Sequence, residues 1–108
     1  MQYVVRFYVQ PGKANAMQAW LEKNEATYAE NAPEGWTYLG TWGTVRAFGE
    51  FDFESRWELE DYATLGEGWG NETFQRLQQE WLEFIDQARP MRADLMKSIS
   101  DVAIFPGM

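Results

Sequence analysis

The chain has 108 residues, a formal net charge of −8 and neither cysteine nor histidine. This length is typical of one domain, so we expect residues 1–108 to fold as a single unit, and the acidic excess disfavours a nucleic-acid binder, which needs a basic surface. Without cysteine or histidine the chain lacks disulfides, thiolate nucleophiles, the commonest metal ligands and the commonest general base.

The N-terminal stretch predicts a strand over residues 2–9. Its apolar run contains Arg6 and has no small-residue cleavage site, which argues against a signal peptide. No run approaches the roughly 20 apolar residues of a membrane span, so we expect a cytoplasmic protein. One predicted face carries Tyr3, Val5, Phe7 and Val9, and the other carries Val4, Arg6 and Tyr8. Pro11-Gly12 ends the strand.

Residues 13–31 predict an amphipathic helix, because apolar residues recur there every three or four positions. The face includes Met17, Trp20, Leu21 and Tyr28. Pro33 follows the last of these positions and prevents the helix from continuing.

Residues 35–59 predict a β-hairpin with an aromatic face and a charged face. In its first strand, Trp36, Tyr38, Gly40 and Trp42 alternate with Thr37, Leu39 and Thr41. In its second strand, Phe51, Phe53, Ser55, Trp57 and Leu59 alternate with Asp52, Glu54, Arg56 and Glu58. The turn is expected at residues 46–49, with Gly43-Thr44 as the second choice.

The C-terminal half predicts two helical segments and a last strand. Asp61 is placed as the N-cap of a short helix over residues 61–65, and residues 66–70, GEGWG, interrupt the helical pattern. Asn71 is expected to cap a second long helix that runs to Arg89 and ends at Pro90. After a polar connection, residues 99–105 are expected to form the fourth strand.

This order is β-α-β-β-α-β, the ferredoxin-like α+β arrangement. It predicts an antiparallel four-stranded sheet of order 4-1-3-2 with both helices on one face. The other face, which we call the open face, would carry the charged residues of the first and third strands. Two open faces packed together would form a barrel, so we expect a homodimer through the sheet.

The chain resembles the dimeric α/β-barrel superfamily, and within it the branches typified by NIPSNAP proteins and antibiotic-biosynthesis monooxygenases. The resemblance covers nearly the whole chain and rests on three stretches: residues 3–13, residues 35–42, and residues 57–62, WELEDY. It implies homodimerisation and a cavity between the helices and the sheet or inside the barrel. The superfamily includes cofactor-free oxygenases, isomerases and haem-degrading enzymes. This chain departs from the haem-ligating branches because it has no histidine.

Arg6 and Arg56 are the strongest candidates for a polar site on the open face, with Tyr8, Glu54 and Glu58 expected around them. Their functional interpretation is a pocket that fixes an anionic or enolisable ligand, with Tyr8 as a hydrogen-bond donor or proton relay. The structural interpretation, which the near balance of charges favours, is a cross-strand ladder of ion pairs.

Metal binding is disfavoured on the second strand of the predicted hairpin. Asp52, Glu54 and Glu58 supply oxygen ligands, but alternate residues on a strand lie about 7 Å apart. Arg56 also supplies a counter-charge among them. We therefore expect no metal, haem or other cofactor.

Aromatic side chains suggest an apolar site. Trp20, Trp36, Tyr38, Trp42, Trp57 and Trp81 are expected either to fill the core or to line a cavity for a flat ligand. Trp69, within residues 66–70, is either packed against the core or carried over the ligand by a mobile lid. The sequence thus favours a protein that binds or transforms a small apolar or aromatic ligand without a cofactor. The alternative is a non-catalytic homodimer that serves assembly or protein interaction.

Overall fold

A computed structural model describes residues 1–44, 51–67, 70–98 and 100 of the chain. Its strands are β1 (Gln2–Phe7), β2 (Trp36–Gly43), β3 (Phe53–Leu59) and β4 (Arg92–Met96). Its helices are α1 (Ala14–Glu30) and α2 (Glu72–Leu82), and a 3₁₀ turn spans Ala63–Glu67. Neither described helix is long and apolar enough to cross a membrane.

The four strands form one antiparallel sheet of order β2-β3-β1-β4, which confirms the predicted order and the ferredoxin-like fold. Tyr3 pairs with Trp57 of β3 and with Leu95 of β4. Since paired residues point to the same side of a sheet, Tyr3, Trp57 and Leu95 share one face.

Both helices cover that face, and two clusters of buried side chains fill the space between them and the sheet. One cluster centres on Tyr28, Trp57, Leu59, Phe74 and Leu77. The other centres on Phe7, Val9, Met17 and Ile85. The predicted helix faces are thus confirmed at Met17 and Tyr28, the two residues of α1 that are buried.

A β-bulge in β2 changes the predicted face of Trp42. The pairing of β2 with β3 shifts between Tyr38 and Gly40, so Leu39 is an extra residue with no partner on β3. Thr41 therefore lies on the helix-covered face opposite Ser55, and Trp42 lies on the open face opposite Glu54. The prediction that Trp42 shares the aromatic face with Tyr38 was wrong for this reason.

The helix predicted to reach Arg89 ends at Leu82 instead. Beyond it, Ile85 forms an isolated antiparallel bridge with Val9, and Gln10 N donates to Phe84 O at 2.9 Å. Asp86 N, which would donate to Leu82 O in a continuing helix, donates instead to Tyr8 O at 2.9 Å, so backbone pairing with the extension of β1 replaces the helix at this point.

The fourth strand also differs from the prediction. β4 is formed by Arg92–Met96, within the stretch that was predicted to be a polar connection. The predicted strand over residues 99–105 lies outside the described residues except for Ser100, as does the predicted hairpin turn at residues 46–49.

Asp61 begins the 3₁₀ turn much as predicted. Its Oδ1 accepts hydrogen bonds from Thr64 N at 2.9 Å and from Thr64 Oγ1 at 2.8 Å. These bonds lower the pKa of the Asp61 carboxyl, because they stabilise the charged form. The turn packs beside the start of β2, where Trp36 Nε1 donates to Thr64 O at 3.0 Å.

Candidate functional site

A cleft of about 540 Å³ lies between the helices and the covered face of the sheet. Strands β1, β2 and β3 form its floor, and α1, α2 and the 3₁₀ turn contribute to its walls. Seven aromatic rings line it: Tyr3, Trp20, Tyr28, Trp36, Tyr38, Trp57 and Trp81. Five of the six aromatic residues that the sequence suggested for a cavity are among them; Trp42 is not.

The rings are held by contacts with one another. Trp57, on the central strand β3, has ring centroids at 5.0 Å from Tyr38, 5.4 Å from Trp36 and 5.4 Å from Tyr28. Edge-to-face and tilted pairs at such distances are favourable beyond the burial of the rings. Trp20 Nε1 donates to Glu80 Oε1 at 3.3 Å, which links α1 to α2 above the cleft. The aromatic lining is therefore a packed and orientated surface.

Polar groups enter this lining as a chain of hydroxyls that we call the hydroxyl chain. Tyr38 Oη donates to Glu25 Oε2 at 3.4 Å and also shares a short hydrogen bond with Thr41 Oγ1. Thr41 Oγ1 in turn lies 2.8 Å from Ser55 Oγ. Tyr38, Thr41 and Ser55 all line the cleft, so the chain runs from the surface carboxylate into the apolar site.

The two tyrosines stay protonated in this environment. Burial raises the pKa of Tyr38 to about 12; the hydrogen bond from Thr41 opposes the rise, and the Glu25 carboxylate adds to it. Burial, assisted by the neighbouring Tyr38, raises the pKa of Tyr28 well above its usual range. Both hydroxyls are therefore neutral donors at physiological pH.

The open face carries a second polar arrangement, which includes Arg6 and Arg56. Glu54 accepts from Arg6 Nε at 3.1 Å through Oε1 and from Arg56 Nε through Oε2. Arg6 Nη1 also donates to Asp94 Oδ2, and Arg92 Nε donates to the same oxygen at 3.0 Å. We call these five residues the open-face network. It has the form of the cross-strand ion-pair ladder that the sequence suggested as the structural interpretation.

The structure does not bring Tyr8 into this network. The Arg89 guanidinium lies 4.1 Å from the centre of the Tyr8 ring, and the ring of Phe51 is 4.9 Å away. Tyr8 therefore belongs to a separate cluster beyond the end of β1. The predicted Arg6–Arg56 pair is brought together through Glu54, whereas within the part of the chain that the structure describes no hydrogen bond joins the Tyr8 hydroxyl to that pair.

The remaining predicted residues are dispersed. Trp42 is 58% exposed, and the Arg56 guanidinium lies 5.8 Å from the centre of its ring. Glu58 Oε1 accepts from the α-amino group of Met1 at 3.0 Å, away from Glu54. Trp69 lies outside the described residues.

The three acidic side chains that the sequence analysis considered as metal ligands, Asp52, Glu54 and Glu58, do not converge. Asp52 Oδ2 accepts from Val9 N at 3.0 Å, whereas Glu54 and Glu58 bind the separate partners given above. Across the residues that the structure describes, no group of three acidic side chains is arranged to hold a metal ion.

The sequence did not identify the hydroxyl chain. Ser55 lies on the aromatic face of β3 as predicted, and a hydroxyl among rings is the sequence signal that points to this chain. Thr41 was assigned to the opposite face from Tyr38, because regular alternation does not reveal the bulge. Gly40, whose φ is +113°, is the residue that could have indicated it.

No family model matches this chain, and no curated protein matches it. Several solved structures are similar to this chain in fold. A NIPSNAP domain protein from Burkholderia xenovorans has a TM-score of 0.63 at 13% identity, covering 91% of this chain and 95% of its own. A protein of the EthD family from Bacillus halodurans has a TM-score of 0.65 at 12% identity, covering 91% and 98%. An antibiotic biosynthesis monooxygenase has a TM-score of 0.58 at 18% identity, covering 90% and 96%. The chain thus shares the ferredoxin-like fold of these proteins, and this is the fold that the sequence predicted.

Proposed function

We propose that the cleft between the helices and the sheet binds a small, largely apolar aromatic ligand. One observation carries this proposal: a space of about 540 Å³ is lined by seven aromatic rings and by a few hydroxyls that converge on it. Small-molecule sites have this size range and this mixture of apolar walls with a few placed polar groups. The rings offer flat surfaces for stacking, and the hydroxyls offer orientation.

The proposed binding uses the protein's own side chains, and the chain lacks histidine and cysteine, the residues that most often ligate transition metals and haem. If the ligand is transformed as well as bound, the neutral hydroxyl of Tyr28, which lines the cleft, can donate a hydrogen bond to an enolate or phenolate oxygen. Stabilising such an oxygen is what a cofactor-independent oxygenase or isomerase requires.

Narrowing the cleft tests its role directly. We expect the wild-type chain to bind 2-naphthol at one saturable site in equilibrium dialysis, and Val5→Phe to weaken this binding at least tenfold. Val5 lines the cleft, so a phenyl ring there occupies the space that the ligand needs. Leu39→Phe adds a ring outside the cleft and is the matched control.

The melting temperature of each variant shows whether it is folded. If folded Val5→Phe binds 2-naphthol as tightly as the wild type, the ligand lies elsewhere and the cleft is not the site. If the wild type binds neither 2-naphthol nor other two-ring aromatic compounds, the proposed function is wrong.

A second candidate function is a homodimer formed through the open face, in which assembly is the role of the chain. The observation that favours it is the open-face network, because its charges are already paired within one chain. Such a face can be covered without leaving an isolated buried charge. Trp42 and Met96, which are 58% and 50% exposed, add apolar area to the same face.

We expect light scattering at micromolar concentration to give twice the chain mass of 12.6 kDa, and Trp42→Glu to shift the protein towards a monomer. A new carboxylate opposite Glu54 adds like charge to a surface that the dimer would desolvate, so the dissociation constant should rise about 100-fold. Gln18→Glu places the same charge on exposed α1 and should leave the mass unchanged. A monomeric wild-type protein would refute this candidate.

A further inference from the structure

The hydroxyl chain has a direction that is set by its carboxylate end. An ionised carboxylate only accepts hydrogen bonds, so Tyr38 must give its single hydroxyl proton to Glu25 Oε2. The hydrogen bond between Tyr38 Oη and Thr41 Oγ1 then needs the proton of Thr41. By the same count, the bond between Thr41 Oγ1 and Ser55 Oγ needs the proton of Ser55.

Ser55 is therefore the inner end of the hydroxyl chain and faces the cleft as an acceptor. Its proton is committed to Thr41, and its oxygen keeps free lone pairs. Ser55 is 7% exposed and is flanked on β3 by the rings of Phe53 and Trp57, so few other donors can reach it. A buried acceptor that loses its partner is costly, more so than a hydrogen bond gained is favourable.

We propose that Ser55 determines the specificity of the cleft, and that the cleft selects an aromatic ligand bearing a hydroxyl group that donates to Ser55 Oγ. This inference rests on the proposed function of the cleft and names the ligand class within it. A phenol matches the arrangement, whereas an aryl ether of the same ring places an acceptor against an acceptor.

The protonation state of Tyr38 supports this direction of the hydrogen bonds in the hydroxyl chain. Because burial raises the pKa of Tyr38 to about 12, its hydroxyl remains a donor across the working pH range. The chain of donors therefore keeps its direction from Ser55 to Glu25 under ordinary conditions.

A matched pair of probes tests the proposal by equilibrium dialysis: 2-naphthol and 2-methoxynaphthalene, measured against the wild type and Ser55→Ala. The quantity of interest is the ratio of the two affinities in each protein, because comparing ratios cancels the different hydrophobicities of the probes. We expect the ratio of the affinity for 2-naphthol to the affinity for 2-methoxynaphthalene to be roughly three to ten times larger in the wild type than in Ser55→Ala. This factor corresponds to the free energy of one neutral hydrogen bond.

Glu25→Ala tests the direction of the chain without touching the ligand site, since Glu25 does not line the cleft. Without the terminal acceptor, the three hydroxyls can reverse and Ser55 can donate, so the ratio should fall towards that of Ser55→Ala. Glu22→Ala removes the same charge from an exposed position on α1 and should keep the wild-type ratio.

The outcomes separate this inference from the proposed function. If the wild type and Ser55→Ala bind both probes with the same ratio, Ser55 is not the determinant, although the cleft remains a binding site. If Ser55→Ala changes the ratio but Glu25→Ala does not, the polarity argument is overturned. If the wild type binds neither probe, the proposed function and this inference both fail.

Discussion

Phe74→Ala is expected to lower the free energy of unfolding by about 3–5 kcal/mol, the usual cost of removing a fully buried ring. Phe74 is 1% exposed and stacks on Tyr28 with ring centroids 4.7 Å apart, and it lies 5.9 Å from Trp57. It is therefore one of the buried contacts that fix α2 to α1 and to the sheet. The total free energy of unfolding of a domain of this size is about 5–15 kcal/mol, so the expected loss is a large fraction of it.

Urea unfolding followed by tryptophan fluorescence at a fixed protein concentration measures this effect. Phe74→Leu keeps most of the buried volume and should cost less than half as much. A loss below about 1 kcal/mol for Phe74→Ala would mean that the site collapses without a cavity or that α2 does not pack here.

Gly35→Ala is expected to lower the free energy of unfolding strongly for a change of one methyl group. Gly35 has a φ of +84°, and a Cβ there would lie 2.6 Å from Thr64 Cγ2. The backbone conformation costs an alanine about 1–2 kcal/mol, and forcing the methyl groups apart costs about 1–3 kcal/mol more. Since one kcal/mol shifts the melting temperature of a small domain by roughly 4 °C or more, calorimetry will resolve the change.

Two variants separate the causes at Gly35. Gly66→Ala is the matched control, because nothing lies within 4 Å of a Cβ built there. Thr64→Ser removes Cγ2 but keeps the hydroxyl that donates to Asp61, so in the Gly35→Ala background it should recover the steric part of the loss. If Thr64→Ser recovers no stability in the Gly35→Ala background, the entire loss comes from the backbone conformation at residue 35.

The fold was predictable because hydrophobic periodicity decides which faces are buried. The period of two in β1 and β3 and the period near 3.6 in α1 each follow from the need to cover one apolar face, and together they fix the order of elements. Asp61 was predictable for a local reason, since a carboxylate three residues before Thr64 satisfies a free N–H wherever it occurs.

The missed features depend on contacts between distant residues. The pairing of Ile85 with Val9 ends α2 early, and no pattern within residues 71–89 signals it. In the described part of the sheet, strand β4, Arg92–Met96, is an edge strand paired with β1. Its five residues are too few for their alternation to distinguish a strand from a connection. The cleft was anticipated as an aromatic site, but its hydroxyl chain depends on the bulge at Leu39.

The open-face network also bears on how the sheet assembles. Because side chains alternate along a strand, a slip of β1 by one residue against β3 would turn Arg6 towards the layer that holds Phe7 in the native pairing. The guanidinium would then be buried among rings, far from Glu54 and Asp94, at a cost that few wrong pairings can offset. Arg6 thus penalises each pairing that is displaced by an odd number of residues. For displacements by two residues, which keep Arg6 on the open face, the loss of its ion pairs with Glu54 and Asp94 favours the native alignment.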